Sequence, residues 1–213
     1  WRRELRPQAC PGNRERFNEP IYVGQSRESL RTRIRRHLTN QRTDAVAMNV
    51  LDPFEVFSIE VWPLPAQPGG TGPQPRPEEL NALERAVWES LIQNSRFNAI
   101  LNEKDPPVEP GMPYGPGNLP PSFRGVIVSP EVAELRGHPD MRIARRAATL
   151  AQLARVIVER QVSGGLRRTL VTQARRLAAL AQDRFAALGG DAIVAAGPED
   201  EPVPADGDND AEA

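Results

Sequence analysis

Hydrophobic residues in the first hundred positions change their spacing several times, which predicts alternating strands and helices. Residues 21–24, IYVG, form a short apolar run closed by glycine and are typical of a strand. In residues 29–40 the apolar side chains recur every four positions, as on the buried face of a helix. Residues 53–64, PFEVFSIEVWPL, have the β-branched and aromatic content of a strand flanked by prolines. Residues 78–94 return to helical spacing and predict a second helix.

The second half of the chain has mainly helical patterns. Residues 105–122, DPPVEPGMPYGPGNLPPS, are too rich in proline and glycine for a regular element and predict an extended linker. Three helices are predicted after it, near residues 130–136, over 139–162 and over 166–188. We expect Gly164 and Gly165 to form the turn between the two long helices, so that these pack as an antiparallel hairpin.

Together these elements predict an α/β (α+β) protein in four parts. A small mixed sheet with flanking helices is expected in residues 1–104, and a Pro/Gly-rich linker in 105–128. A C-terminal α-helical lobe built on the hairpin is expected in 129–190. Residues 191–213 carry acidic groups and little to bury, so we expect a disordered tail.

Composition narrows the compartment and the chemistry. No apolar run approaches the roughly 20 residues of a spanning helix, and the first residues lack the apolar stretch of a signal peptide. We therefore expect a cytoplasmic protein without a membrane partner. Cys10 is the only cysteine, and His37 and His138 are the only histidines. A metal ion would accordingly bind mainly to carboxylate oxygens.

Charge is strongly segregated along the chain although the net charge is only -1. Lys and Arg outnumber Asp and Glu by 11 to 4 in residues 1–42 and by 11 to 3 in 136–184. The balance reverses to 5 against 13 in 43–135 and to 0 against 8 in 185–213. Two separate arginine-rich regions favour nucleic acid as a partner, although basic patches are often only solvated surface.

Four short motifs occur in a fixed order at compatible spacings: YVG at 22–24, SLRTRIRRHL at 29–38, ALE at 82–84 and RFN at 96–98. This ordered set resembles the GIY-YIG nuclease superfamily, which includes homing endonucleases, some restriction enzymes and the excision-repair nuclease. The resemblance covers roughly residues 1–104. It implies a small mixed α/β domain that acts as a DNA endonuclease, a hydrolase that cleaves phosphodiester bonds.

The resemblance also implies a set of catalytic residues and a metal. Glu84 would hold one divalent ion, Mg²⁺ or Mn²⁺, with water and phosphate oxygen at the other positions. Arg33 would grip the scissile phosphate, and Tyr22 would orient or deprotonate the attacking water. His37 would contact phosphate or assist proton transfer, and Asn98 would fix the local loop and its hydrogen bonds.

Each of these residues also has a plainer interpretation. Tyr22 alone would be a half-buried strand aromatic, and Arg33 and His37, four residues apart, would be a solvated helix face. Glu84 has a competitor in Glu89, and Asn98 could be a helix C-cap. The order of the motifs, not any single residue, favours the catalytic interpretation.

One motif of the resemblance is missing. The superfamily has another tyrosine on the strand before YVG, whereas the second tyrosine here is Tyr114, in the predicted linker. Either the chain begins after that motif, which the absence of a starting methionine at Trp1 favours, or the residue is lost and the protein binds DNA without cutting it. A GIY-YIG-like binding module without activity is therefore the alternative function.

The arginines predict where DNA would bind. In the first basic region these are Arg31, Arg35 and Arg36; in the helical lobe they are Arg145, Arg146, Arg175 and Arg176. The leucines and isoleucine of the hairpin should bury against one another, namely Leu150, Leu153, Ile157, Leu170, Leu177 and Leu180. The arginines, including Arg142, should then lie largely on outer faces and hold phosphates. In the other interpretation the lobe is a structural or protein-interaction module that can form a homodimer.

Overall fold

The computed structural model describes residues 19–27, 31, 32, 34, 52–64, 75–159 and 164–190. The elements within them are a 3-10 turn at Pro53–Glu55, strands β1 (Ser58–Val61) and β2 (Phe123–Val126), and helices α1 (Pro77–Asn94), α2 (Pro130–Gly137), α3 (Pro139–Glu159) and α4 (Gly164–Ala187). Among the described residues this is a mixed α+β arrangement of these four helices, a further helical stretch at residues 31, 32 and 34, and one two-stranded sheet. The expected acidic tail, residues 191–213, lies outside the described residues.

The sheet joins two distant parts of the sequence. β1 and β2 run antiparallel, with Ser58 opposite Val126 and Val61 opposite Phe123. Ile127 extends the pairing by donating its backbone N–H to the Phe57 carbonyl over 3.0 Å. The strand predicted in residues 53–64 is thus present in shorter form, whereas β2 lies inside the predicted linker 105–128. The predicted linker therefore contributes a strand to the sheet and does not only connect two parts of the chain.

Helix α1 begins and ends where local chemistry favours it. Pro77 occupies the first turn, where a missing N–H is tolerated, and the Arg76 backbone N–H donates to Glu79 Oε2 over 3.3 Å. Ser95 closes the helix. Asn98 then adopts a positive φ of 49°, a conformation that asparagine tolerates better than most residues, and the chain turns back along the helix.

A first hydrophobic core lies on the buried face of α1. It consists of Val23, Leu83, Val87 and Ile100. Tyr114 and Leu119 of the proline-rich stretch pack on it together with aromatic and leucine side chains of the β1 region and α1. The proline-rich stretch therefore covers core surface, although it contains no helix.

A second core joins this region to the helical hairpin. Leu101 packs with Leu153 and Ile157 of α3 and Leu166 of α4, and Ile21 borders the cluster. At the opposite end of the hairpin Arg184 Nη2 lies 2.8 Å from Asp140 Oδ2, so α3 and α4 run antiparallel as predicted. Gly164 and Gly165 are the first residues of α4, not a turn of their own.

The buried face of α4 is more polar than the sequence predicted. Leu153 and Ile157 are buried as expected, but Leu150, Leu170, Leu177 and Leu180 are only half-buried. The buried residues of α4 are Leu166, Thr169, Thr172, Gln173 and Arg176. The threonine hydroxyls donate to carbonyls one turn earlier, which satisfies them inside the helix.

The prediction that the lobe arginines lie on outer faces is therefore wrong for Arg142 and Arg176, which are buried, and for Arg145 and Arg146, which are half-buried. Arg142 is 6% exposed and Arg176 is 2% exposed. Guanidinium groups can be buried where carboxylates and carbonyls accept their hydrogen bonds, and hydropathy does not reveal such partners.

Within the described part of the chain, no helix has the length and apolar content needed to cross a membrane.

Candidate functional site

The site is built around the extended segment 20–25, which runs beside residues 100–102. The Leu101 backbone N–H donates to the Ile21 carbonyl over 2.8 Å. The buried side chain of Asn102 accepts from the Val23 N–H at 3.0 Å and donates to the Val23 carbonyl at 2.9 Å. The residues on both sides of Tyr22 are thereby fixed, while the Tyr22 side chain is 36% exposed.

Gly24 leaves room for the tyrosine ring in its present position. A Cβ atom at residue 24 would lie 2.9 Å from Cε1 of Tyr22 and 3.1 Å from its hydroxyl oxygen. These separations are shorter than non-bonded carbon contacts allow, so any larger residue would displace the ring. The Tyr22 hydroxyl therefore lies over the backbone at Gly24, one residue before Gln25.

Gln25 connects this segment to α1. Its backbone N–H donates to Glu84 Oε1 over 3.2 Å, and its Nε2 donates to Glu84 Oε2 over 3.1 Å. The same Nε2 also donates to Asn81 Oδ1 over 2.8 Å, and Asn81 Nδ2 donates to Glu109 Oε1 over 2.7 Å. Asn81 and Glu84 are three residues apart and so lie on one face of the helix. The sequence did not predict Gln25, Asn81 or Glu109 as site residues, because no sequence motif marks hydrogen bonds between side-chain amides and their distant partners.

Glu84 is thus brought to the end of the segment that follows Tyr22. Asn98 is not. It is exposed and forms part of the turn after α1, where its N–H donates to the Ser95 carbonyl over 3.1 Å. Glu84 precedes the last residue of α1 by ten positions, which corresponds to about 15 Å along a helix axis. Asn98 is therefore a turn residue, and Ser95, not Asn98, is the C-cap.

Asn102 lies where Asn98 was expected to act. It is the second asparagine of the sequence NAILN, four residues after Asn98. Its side chain holds the segment that carries Tyr22. A signal existed in the sequence: Asn102 follows two apolar residues that continue into the core, whereas Asn98 precedes them.

The predicted phosphate-binding residues Arg33 and His37, with Arg35 and Arg36, lie outside the described residues. Residues 31, 32 and 34 are helical, which agrees with the helix expected there, and Arg31 is exposed. The alternative carboxylate Glu89 accepts from Arg85 Nε at 2.6 Å and is one partner of an ion pair within α1. That pairing makes Glu89 the weaker candidate for a metal ligand.

The metal hypothesis rests on a single carboxylate. Among the described residues there is no group of three or more histidine, cysteine, aspartate or glutamate side chains that could hold a metal ion. Glu84 is half-buried, and the donors that it accepts from Gln25 are neutral amides. A carboxylate oxygen offers more than one acceptor position, so Glu84 fits Mg²⁺ or Mn²⁺ held mainly by water and phosphate oxygens.

A second polar centre lies between the β1 region and α3. Glu55, 8% exposed, accepts from Arg142 Nε at 3.0 Å and from Arg146 Nη2 at 2.7 Å. Arg145 Nη2 approaches it at 3.5 Å, and Arg145 Nε lies 3.0 Å from Asp52 Oδ2. Burial alone would raise the pKa of Glu55, but the hydrogen bonds and charges of Arg142 and Arg146 hold that pKa below its ordinary value.

These contacts change the expected DNA surface of the lobe. Arg145 and Arg146 point to Glu55 and Asp52, and Arg176 is buried, whereas Arg175 is exposed. A guanidinium already paired with a carboxylate has fewer donors for phosphate. Of the four lobe arginines predicted to bind DNA, only Arg175 presents an outward side chain.

Comparisons of the chain with protein-family models, with curated proteins and with solved structures found no match. Only the sequence motifs therefore support the resemblance to the nuclease superfamily.

Proposed function

We propose that this chain is a GIY-YIG-type, metal-dependent DNA endonuclease. The observation that carries the proposal is the pair of hydrogen bonds between Gln25 and Glu84, which are 59 residues apart in sequence. These bonds bring the YVG motif and the ALE motif together. Convergence of these two motifs is what the resemblance implies, and neither periodicity nor composition requires it.

The residues have distinct roles in this proposal. Tyr22, with its ring over Gly24 and its side chain open to solvent, would orient the attacking water or accept its proton. A divalent ion on Glu84 would supply charge stabilisation at the phosphate oxygens. Arg33 and His37 would contact the scissile phosphate and the departing oxygen. Asn102 would hold Val23, and through it the backbone at Tyr22, in a fixed position.

A second candidate is a nucleic-acid-binding module that keeps the fold without activity. It is favoured by the contacts of Glu84 itself, because both carboxylate oxygens accept hydrogen bonds from Gln25. A purely structural glutamate that ties the segment to α1 would make the same bonds. In that case Glu84 would stabilise the fold, and metal ions would have no effect on DNA.

The test uses the full-length protein with plasmid DNA and Mg²⁺ or Mn²⁺. We expect nicking or cleavage that EDTA abolishes, loss of it in Glu84→Gln, and a loss of about 100-fold or more in Arg33→Ala. Glu89→Gln is the matched control on the same helix and should cleave normally. Gln at position 84 is isosteric but offers one acceptor oxygen instead of two to the Gln25 donors, so melting should fall only slightly and the protein should stay folded. Cleavage that persists in Glu84→Gln or in EDTA would refute the metal role. DNA binding without cleavage by the wild-type protein would support the second candidate.

A further inference from the structure

One side chain of the helical lobe reaches the segment that carries Tyr22. Arg176 of α4 donates through Nη2 to the Pro20 carbonyl over 2.6 Å, and the same atom lies 3.4 Å from the Ala99 carbonyl. It also lies 3.3 Å from Glu19 Oε1. One guanidinium therefore joins the start of the Tyr22 segment to the neighbouring segment that contains Leu101 and Asn102.

The surroundings hold both the arginine and its acceptors in place. Arg146 Nη1 donates to the Arg176 carbonyl over 3.1 Å, and the Arg176 guanidinium lies 5.6 Å from the centre of the Phe97 ring. Glu19 also accepts from Ser95 Oγ at 2.5 Å and from the Arg96 N–H at 3.2 Å. The contact is thus part of a packed network and is not a loose surface pair.

Burial of this arginine is unfavourable in itself. Desolvation lowers the pKa of Arg176 to about 10, which the nearby Glu19 carboxylate only partly offsets. In the described part of the chain its Nε is buried without a hydrogen-bond partner. Buried charges are seldom optimal for stability, so a position like this one calls for another reason.

We propose that Arg176 is a positioning residue: by binding the Pro20 carbonyl from α4, it fixes the backbone that presents Tyr22. The fixed points along the segment lie on both sides of Tyr22. Arg176 binds the carbonyl of Pro20, Leu101 binds that of Ile21, and Asn102 binds both backbone groups of Val23. The catalytic meaning of this inference rests on the proposed nuclease function, whereas its structural meaning does not.

The first test measures amide hydrogen exchange in the full chain, in peptides that cover residues 19–25. Arg176→Met keeps much of the side-chain volume but removes every donor, and we expect exchange in this segment to rise about tenfold or more. Arg176→Lys keeps the charge but not the fork, and should give an intermediate rate. Arg175→Met, on the neighbouring exposed residue, is the control and should match the wild type. Equal exchange in Arg176→Met and Arg175→Met would overturn the inference.

Two further measurements keep the result interpretable. If Arg176→Met does not fold, the folded Arg176→Lys protein decides the question by its exchange rate at the same segment. In cleavage assays, Arg176→Met should lower kcat and leave the KM for DNA unchanged, because the residue does not touch the substrate. A raised KM with a shallower salt dependence would instead make Arg176 a phosphate contact and would refute the inference. Faster exchange in a protein whose wild type never cleaves DNA would refute the nuclease proposal and keep the positioning role.

Discussion

Glu84 and Glu55 are both glutamates that tie distant segments together, yet the donors that link those segments differ in kind. Glu84 binds the neutral amide donors of Gln25. Glu55 binds Arg142 and Arg146 and is approached by Arg145. The amide donors of Gln25 bring no positive charge to Glu84, whereas three guanidinium groups approach the carboxylate of Glu55.

The difference separates a candidate reactive group from a structural one. A carboxylate held by amides is oriented but still attracts a cation, which is the condition a metal ligand must meet. A carboxylate saturated by guanidinium groups is already neutralised, and its removal would leave buried cations without a partner. Strong ionic contacts at Glu55 therefore argue against a catalytic role there, although it is the more densely charged site.

The largest expected effect that tests this contrast is on stability. Glu55→Gln should lower the free energy of unfolding by about 3–5 kcal/mol, because the buried Arg142 and the half-buried Arg146 lose their charged partner. For a chain of this size the melting temperature should fall by about 10 °C. Glu60→Gln, on an exposed carboxylate of β1, should change stability by less than about 0.5 kcal/mol. Calorimetry measures these variants beside Glu84→Gln. Equal melting temperatures for Glu55→Gln and Glu84→Gln would contradict the proposed difference between the two carboxylates.

A smaller effect is expected at the asparagine that holds Val23. Asn102→Ala should destabilise the protein by about 1–3 kcal/mol, because it leaves the Val23 N–H and carbonyl without their buried partner. Asn98→Gly removes the other asparagine side chain while tolerating the positive φ, and should cost much less. Denaturant titration compares the two. A larger loss in Asn98→Gly would return the structural role to that residue.

DNA binding should distinguish inward from outward arginines of the lobe. The double change of Arg167 and Arg175 to Gln, both exposed, should reduce the slope of log affinity against log salt by about 1.8 if each contacts one phosphate. The matched double change of Arg145 and Arg146 to Gln should alter the slope little and destabilise the fold instead. Binding titrations at four salt concentrations would measure both slopes. A larger change in slope for the Arg145 and Arg146 variant than for the Arg167 and Arg175 variant would indicate that Arg145 and Arg146 contact DNA.

The smallest expected effect is on acid stability. The pKa of Glu55 is lower in the folded protein than its ordinary value of 4.5, so its contribution to stability is fully present above that pH. The contribution is lost as pH falls through the folded pKa, where the carboxylate takes up a proton. Glu55→Gln should therefore show a flatter decline of melting temperature below about pH 4.5 than the wild type. Parallel acid limbs in the two proteins would show that Glu55 does not titrate in this range.

The sequence predicted those elements well whose pattern lies within the element itself. Helices α1, α3 and α4 lie close to their predicted limits, because the apolar period of all three, and the proline and acidic residues at the start of α1 and α3, are properties of the segment itself. That the YVG motif lies near Glu84, through Gln25, was implied by the resemblance and not by periodicity. β2 was missed, since four exposed residues after a proline-rich stretch have no alternating pattern.

The missed features involve polar groups whose partners are far away in sequence. Thr169, Gln173 and Arg176 continue the helical stripe that begins at Leu166, so their spacing was visible, but polarity assigned them to solvent. Their burial depends on acceptors such as the carbonyls of Pro20 and Ala99. Whether an arginine turns inward is decided by such acceptors, and no local pattern of the helix contains that information.

The first turn of α4 has a consequence for which substitutions the chain can accept. A methyl group on Gly165 would overlap the backbone carbonyl of Glu103, whereas one on Gly164 would meet nothing within 4 Å. Backbone atoms cannot move aside as a flexible side chain can, so the two adjacent glycines differ in mutational tolerance. Under selection for a folded protein, alanine and serine should accumulate at residue 164 and be purged at residue 165. The distance of closest approach between the hairpin and the strand-like segment after Asn98 is thus set by the absence of a single side chain.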